Sequence, residues 1–493
     1  MRHVLAALLL VALVPLRTAS AQAPAPLEFP PTAAGRHAEA WFAAYHDGEE
    51  ALRAFWNAHA SAASLAQRPV EARLEFMRRV RSDQGGLTPV RLVESDAAFC
   101  ELIARAEHGG QVRIRFQCSA DDAKTLESIR IEPVGDAANG AAGGAGMHGA
   151  GEPVPDVIPD TGPPPTDAQI VASLASRIDS LTRVREFSGA AMLEMGNDVQ
   201  FVNATGMAVW SARRRNTSET RFNLGSLNKI FTHVAIEQLA QAGKLRLDDS
   251  LGRWLPDYKV PGGSAITLRQ LLDHRAGVPD MLTNPVFERD PGRVRTMADW
   301  YALVRDMPLE FAPGTQQRYS NGGFVLLGMV VAAAAHEDYH EYVREHVYVP
   351  AGMTHSGHVA RDEASDDVAI GYTRGTAKDA QAGNDLVPNT PALPGRGSSA
   401  GGGYSTVGDL VKFADALRTH RLLDDAHVRD VFGDHFALAI AGGSPGVNGV
   451  FMVAGPYTLV VLANLDPPSA EALAMPIGRM VRRAAGIAAP ARR

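Results

Sequence analysis

Residues 135–167 constrain this chain more than any other stretch. Asn139-Gly140-Ala141-Ala142-Gly143-Gly144-Ala145-Gly146 pays maximal backbone entropy for little side-chain burial. Pro153-Val154-Pro155 and Pro163-Pro164-Pro165 lack the N–H groups that a ladder needs. One continuous core cannot run through such a segment. The 493 residues must therefore form separate units on either side of it. The boundaries drawn from pattern are 36–134, a linker at 135–167, and 168–490.

The chain opens with the pattern of a signal peptide over 1–21. Arg2 and His3 form a basic start, Val4 to Leu16 is apolar, and Ala19-Ser20-Ala21 is a small-residue cleavage site before Gln22. The apolar stretch is too short to span a bilayer, and no later segment is longer and apolar. The expectation is a soluble protein, exported to the periplasm or beyond. The formal net charge is -7, and loss of Arg2 and Arg17 with the leader makes it -9. An acidic balance argues against a nucleic-acid or anionic-membrane partner and leaves a small-molecule substrate. Oligomeric state has no signature here.

Residues 36–134 read as a small α+β unit. Helical spacing covers Ala38 to Tyr45, Ala51 to Ser61 and Pro69 to Val80. Strand-like alternation follows at Thr88 to Glu94, Phe99 to Arg105, Val112 to Cys118 and Ser128 to Glu132. Cys100 and Cys118 flank a hairpin with His108-Gly109-Gly110 at its turn. With the turn centred on Gly109 they lie opposite each other on one face, and an oxidising compartment would bridge them; the other reading is two buried thiols. One Cys pair without nearby partner ligands does not make a zinc site. The opening Ala40-Trp41-Phe42-Ala43-Ala44-Tyr45-His46-Asp47-Gly48 resembles the first helix and turn of the NTF2-like fold, which implies a curved sheet wrapped around helices.

Residues 168–490 form one large domain. A helix is expected over Asp167 to Arg185, then strands at Ser188 to Glu194 and Asp198 to Ala204. A helix runs from Ser226 to about Ala242 and ends at Gly243. A mostly helical middle leads to strand-like stretches at Phe436 to Ala441 and Val450 to Asn464, and a closing helix at Ala470 to Ala484. Strands at both ends with helices between predict one antiparallel sheet that both termini build. The fold class is α+β.

The chemistry starts at Ser226-Leu227-Asn228-Lys229. Residues three apart on a helix share a face, so the hydroxyl and the amine can meet. The serine also lies in the first turn, where free N–H groups and the helix dipole favour developing negative charge. A base beside a hydroxyl turns a poor nucleophile into a good one. About ninety residues on, Tyr319-Ser320-Asn321 follows the turn-rich Phe311-Ala312-Pro313-Gly314-Thr315 and precedes an apolar helix, Phe324 to Ala335.

In that order these motifs resemble the serine β-lactamase and penicillin-binding-protein superfamily, most of all its class C and esterase-like branch. Connectors carry the resemblance further: Leu268 to Gly277, Gly352-Met353-Thr354, Ala400 to Thr406, and Gly442-Gly443-Ser444-Pro445-Gly446. The resemblance implies a β-lactamase/transpeptidase-like domain and an acyl-enzyme on Ser226. It implies that Lys229 and Tyr319 share the proton and that Asn321 bonds the lysine or a substrate amide. Gly442 and Gly443 would line the cleft beside the oxyanion. No cofactor and no metal are implied.

One departure matters. Where the family carries Lys-Thr-Gly or His-x-Gly, this chain has Ile440-Ala441-Gly442. A backbone N–H of Gly443 does not need the lost side chain, but no cation replaces it to hold a substrate carboxylate. Weak activity on β-lactams follows, with an ester or small amide preferred. The rivals are a catalytically weak binding protein and a D-amino-acid peptidase or β-lactamase.

Other motifs compete. His336-Glu337-Asp338-Tyr339-His340 matches the zinc-peptidase pattern, with His346 as a third ligand. Yet Val343 stands where the chain should turn, and a helix break is expected just past Ala335. Gly397-Ser398-Ser399-Ala400-Gly401 and Gly442 to Gly446 both match Gly-x-Ser-x-Gly. The first lacks a preceding buried strand, and the second has Pro445 where an oxyanion N–H is required. His355-Ser356-Gly357 stands in a connecting loop, and His233 reads as a packed helix residue.

Overall fold

A computed structural model describes residues 27, 29–61, 64–65, 69–95, 99–107, 111–118, 125–134, 163–363, 365–374, 386–433 and 435–487. The leader and most of the linker lie outside these residues. The chain divides into two compact units, Met1–Asn139 and Gly140–Arg493. Among the described residues no helix is long and apolar enough to cross a membrane.

In the first unit, helices α1 (Ala33–Asp47), α2 (Glu49–His59) and α3 (Val70–Gln84) precede strands β1 (Leu87–Ser95), β2 (Phe99–Ala106), β3 (Gln111–Cys118) and β4 (Leu126–Val134). The strands form a meander in sequence order. Thr32 caps α1 by accepting from Gly35 N, and Gly48, with φ 113°, ends it. Trp41, Phe42 and Tyr45 on α1 project into a core with Leu102, Ile114 and Phe116 from the sheet. The β2–β3 register pairs Cys100 with Phe116, and Cys118 faces Leu126 on β4. The His108-Gly109-Gly110 turn lies outside the described residues, but the strand register sets Cys100 two positions away from Cys118 rather than opposite it. The cysteines are diagonal neighbours, about 7–8 Å apart by ordinary strand geometry, beyond the Cα separation a bridge prefers. Both stand as buried thiols, and the Cys100–Cys118 bridge expected from an opposed register is not formed.

In the second unit α4 (Asp167–Arg183) starts with a Thr166/Gln169 capping box and leads into β5 (Gly189–Met195) and β6 (Asp198–Thr205). Then come α5 (Lys229–Gln241), α6 (Asn321–Ala335), α7 (Tyr339–Val343) and α8 (Val407–Arg418). The chain closes with β7 (Ala437–Ser444), β8 (Val447–Ala454), β9 (Tyr457–Ala463) and α9 (Ser469–Ala484). The sheet order is β7-β8-β9-β5-β6, antiparallel throughout, so both ends of the unit build it. The strand-like stretch Val450 to Asn464 comprises two strands, divided at Gly455, whose φ of 57° turns the hairpin.

Strands β8 and β9 are buried along their whole length because both faces are covered. Ile170, Leu174 and Ile178 of α4 and Leu473 and Ile477 of α9 pack on Leu459 and Val461. On the opposite face Phe413 of α8 meets Phe451, and Phe231 of α5 meets Phe413. Each such buried side chain contributes about 1.5–3 kcal/mol. The functional consequence is a rigid α5: from Lys229 to Glu237 every residue is buried.

Candidate active site

Residues Gly225–Asn228 form a 3-10 turn that runs directly into α5. Ser226 therefore sits on the first turn of a helix whose body is locked in the core, with Lys229 one turn on. Gly225 takes φ 49°, and Leu224 N donates to Gly403 O, which ties the turn to the Gly401-Gly402-Gly403 run.

Tyr319 and Asn321 arrive from the other side. Ser320 caps α6 by accepting from Gly323 N, which places Asn321 at the first helical position. Their lead-in is held by the preceding connector. Arg318 N donates to His274 O, and Ser320 N donates to His274 Nδ1, leaving the imidazole proton on Nε2. The His274 ring lies 4.6 Å from that of Tyr319 and 5.2 Å from that of Phe324.

The four side chains meet. Ser226 Oγ is 2.6 Å from the Tyr319 hydroxyl. Lys229 Nζ donates to Ser226 Oγ at 3.2 Å, to Asn321 Oδ1 at 2.6 Å and to the Ala400 carbonyl at 2.5 Å. Three acceptors match the three N–H donors of an ammonium. The Tyr319 hydroxyl also lies 3.3 Å from Asn321 Oδ1. The amide is oriented from behind: Asn321 Nδ2 donates to Asp280 Oδ2 at 2.7 Å, and the other carboxylate oxygen of Asp280 accepts from Leu282 N. With its N–H2 committed to Asp280, Asn321 can turn only its oxygen toward Lys229. Asp280, His274 and Ala400 O were not singled out by sequence reasoning. The only hint to Asp280 was its place in Gly277-Val278-Pro279-Asp280, just after the Leu268 to Gly277 connector.

Strand β7, an edge of the sheet, closes the site opposite. A Cβ on Gly442 would lie 2.2 Å from Leu224 O and 3.0 Å from Ser226 N, so only glycine lets the strand come this close. Gly443 N is 3.1 Å from where a Cβ of Gly225 would stand. Ile440, two residues before Gly442 on this strand, is buried in the core.

The competing motifs separate. His336 has left-handed backbone, φ 59°, just past the end of α6, while His340 lies on α7, so the two are not on one helix. His340 Nε2 bonds Gly397 O, and His346 pairs with Glu337. Among the described residues no cluster of His, Cys, Asp and Glu could hold a metal ion. Ser399 is fully buried and donates to Phe324 O, Ser356 binds Asp409, and His233 pairs with the buried Glu237.

A mixed α/antiparallel-β domain with a serine, lysine, tyrosine and asparagine converging beside a glycine-lined edge strand defines the β-lactamase/transpeptidase fold. Residues 174–479 match the beta-lactamase family, a family of serine hydrolases, and the chain belongs to it. Penicillin-binding protein 4* of Bacillus subtilis (strain 168) is 26% identical over 266 residues, 52% of this chain and 58% of that protein. The chain thus spans less than two thirds of that relative. Among solved structures, a penicillin binding protein from Bacillus halodurans is 29% identical with a TM-score of 0.55, covering 60% of this chain and 97% of that one. A D-amino acid amidase from Ochrobactrum anthropi SV3 shares the fold at 22% identity and a TM-score of 0.54, covering 64% and 97%.

Proposed function

We propose that this protein is an exported serine acyl hydrolase that works through an acyl-enzyme on Ser226. The observation that carries the reading is the 2.6 Å contact between Ser226 Oγ and the Tyr319 oxygen, with the Lys229 amine 3.2 Å from the same Oγ. Both Lys229 Nζ and the Tyr319 oxygen touch Ser226 Oγ, so the Lys229/Tyr319 pair, holding one proton fewer than an ammonium and a phenol together, takes the serine proton. Ser226 Oγ attacks the carbonyl carbon, and the charge that develops on the carbonyl oxygen meets the N–H groups of Ser226 and Gly443, preorganised donors of the kind that supply the largest catalytic term. The carbon–leaving-group bond breaks as the Lys229/Tyr319 pair returns the proton to the departing alcohol or amine. A water then repeats the sequence in reverse and frees the acid and Ser226. Asn321 holds Lys229 in place, and Asp280 holds Asn321.

The preferred substrate is an ester or small amide without an obligatory carboxylate, because Ile440 cannot pair with one. Penicillin-binding activity, which the Bacillus relatives' names denote, is expected to be weak for the same reason. The Arg2-to-Ala21 leader pattern supports export. Three helices followed by a four-stranded meander support an NTF2-like first unit.

Turnover of a chromogenic acyl ester tests the reading. Ser226→Ala is expected to abolish it while leaving the melting temperature within a few degrees; undiminished turnover in a folded variant would remove Ser226 as nucleophile.

A further inference from the structure

The segment that receives the Lys229 amine at Ala400 O is itself held by two buried imidazoles. His340 Nε2 bonds Gly397 O at 3.0 Å, and His358 Nε2 lies 3.3 Å from Ser398 O. Their rings are 4.4 Å apart. Burial, reinforced by the Arg396 charge, lowers the His340 pKa to about 4; burial also pushes His358 well below its ordinary range. Both rings are therefore neutral near pH 7.

These histidines line a cleft of about 220 Å³, several times the ~30 Å³ share of one water in the liquid. Positive charge comes from Arg221, Arg344 and Arg396, against the two lining carboxylates Glu341 and Glu363. Arg344 is committed to Glu341 at 2.9 Å, and Glu363 accepts from Ala360 N. Arg396 gives its Nε to His358 O and pairs with no carboxylate among the described residues. Arg221 has Asp367 at 3.7 Å, beyond hydrogen-bond reach, and its buried Nε has no hydrogen-bond partner among the described residues. Tyr348 also lines the cleft; it is 2 % exposed, and its buried hydroxyl has no hydrogen-bond partner among the described residues. Buried donors without acceptors are rare in native proteins, and a bound oxyanion would satisfy these.

We propose that this cleft binds a small oxyanion, the phosphate or carboxylate group of a ligand, through Arg221, Arg396 and the Tyr348 hydroxyl. Guanidinium groups bind such oxygens best because both nitrogens of the fork can donate at once. Ser226, Lys229, Tyr319 and Asn321 are not among its lining residues, and the site stands whether or not the acyl-transfer reading is correct.

Calorimetric titration of the full chain tests it, with sodium phosphate in one arm and sodium acetate in the other, ionic strength held constant with sodium chloride. Saturable binding is expected in at least one arm, and the arm that saturates identifies the group. Arg396→Gln is expected to weaken it tenfold or more. Tyr348→Phe, which removes only an unpartnered hydroxyl and preserves packing, is the second variant and is expected to weaken it as well. Absence of saturable heat in both arms, or the same affinity in both variants as in the native protein, would overturn the site and leave a water-filled cleft.

Discussion

Replacing Gly442 with alanine tests how closely the edge strand and the nucleophile turn depend on one another. The added Cβ would stand 2.2 Å from Leu224 O, 2.7 Å from Leu227 N and 3.0 Å from Ser226 N, all backbone atoms that cannot swing aside. A carbon–oxygen contact settles at about 3.3 Å, so β7 must retreat by about 1 Å. Overpacking of this kind costs about 1–3 kcal/mol of stability. The larger effect is on catalysis, because Gly443 N travels with the strand. A 1 Å misplacement costs about 100-fold, and loss of one oxyanion donor costs about 100- to 1000-fold. The assay is kcat for a chromogenic ester, with melting temperature measured in parallel. Gly408→Ala is the control, since its Cβ would meet nothing nearer than 3.9 Å. Gly442→Ala with kcat within twofold of the native value would refute the placement of β7 in the oxyanion site.

Three further outcomes follow. Asp280→Ala should free the Asn321 amide to turn and loosen its hold on Lys229, lowering kcat about 10- to 100-fold with little change in KM; an unchanged kcat would remove Asp280 from the positioning chain. Burial of the Glu194 carboxyl, with the charge of Asp415 beside it, pushes its pKa from 4.5 up to about 7. A raised pKa favours the folded state while the group is protonated, so this stabilisation is complete below about pH 4.5 and disappears as pH rises through 7; Glu194→Gln should flatten that part of the melting-temperature profile, and an unaltered profile would contradict it. Because Cys100 and Cys118 are diagonal thiols, titration of the unfolded protein with a thiol reagent should find two thiols per chain, and none would restore the bridge.

The parts of the site that were legible from the residues alone obey local rules. Ser226 and Lys229 share a helix face because they are three apart, and Tyr319-Ser320-Asn321 stands just ahead of an apolar helical run. The sheet shared by both ends of the second unit followed from period-two and apolar runs at its termini. What escaped depends on long-range geometry. Asp280 is 41 positions from Asn321, and an acid in a loop carries no sign of which amide it will face. Ala400 contributes a carbonyl, which every residue has. The cysteine register failed because a slip of one in the turn centre moves a pair by two residues. The break past Ala335, by contrast, was legible: α6 ends there, His336 takes left-handed backbone, and His340 falls on the next helix.

The central claim is that Ser226 is an activated nucleophile. Intact-mass measurement of the protein after exposure to a fluorophosphonate tests it most directly, with Ser226→Ala alongside. A single adduct on the native protein that is missing from the variant is the predicted result. An adduct of equal yield on both, or none on a native protein that melts cooperatively, would contradict it.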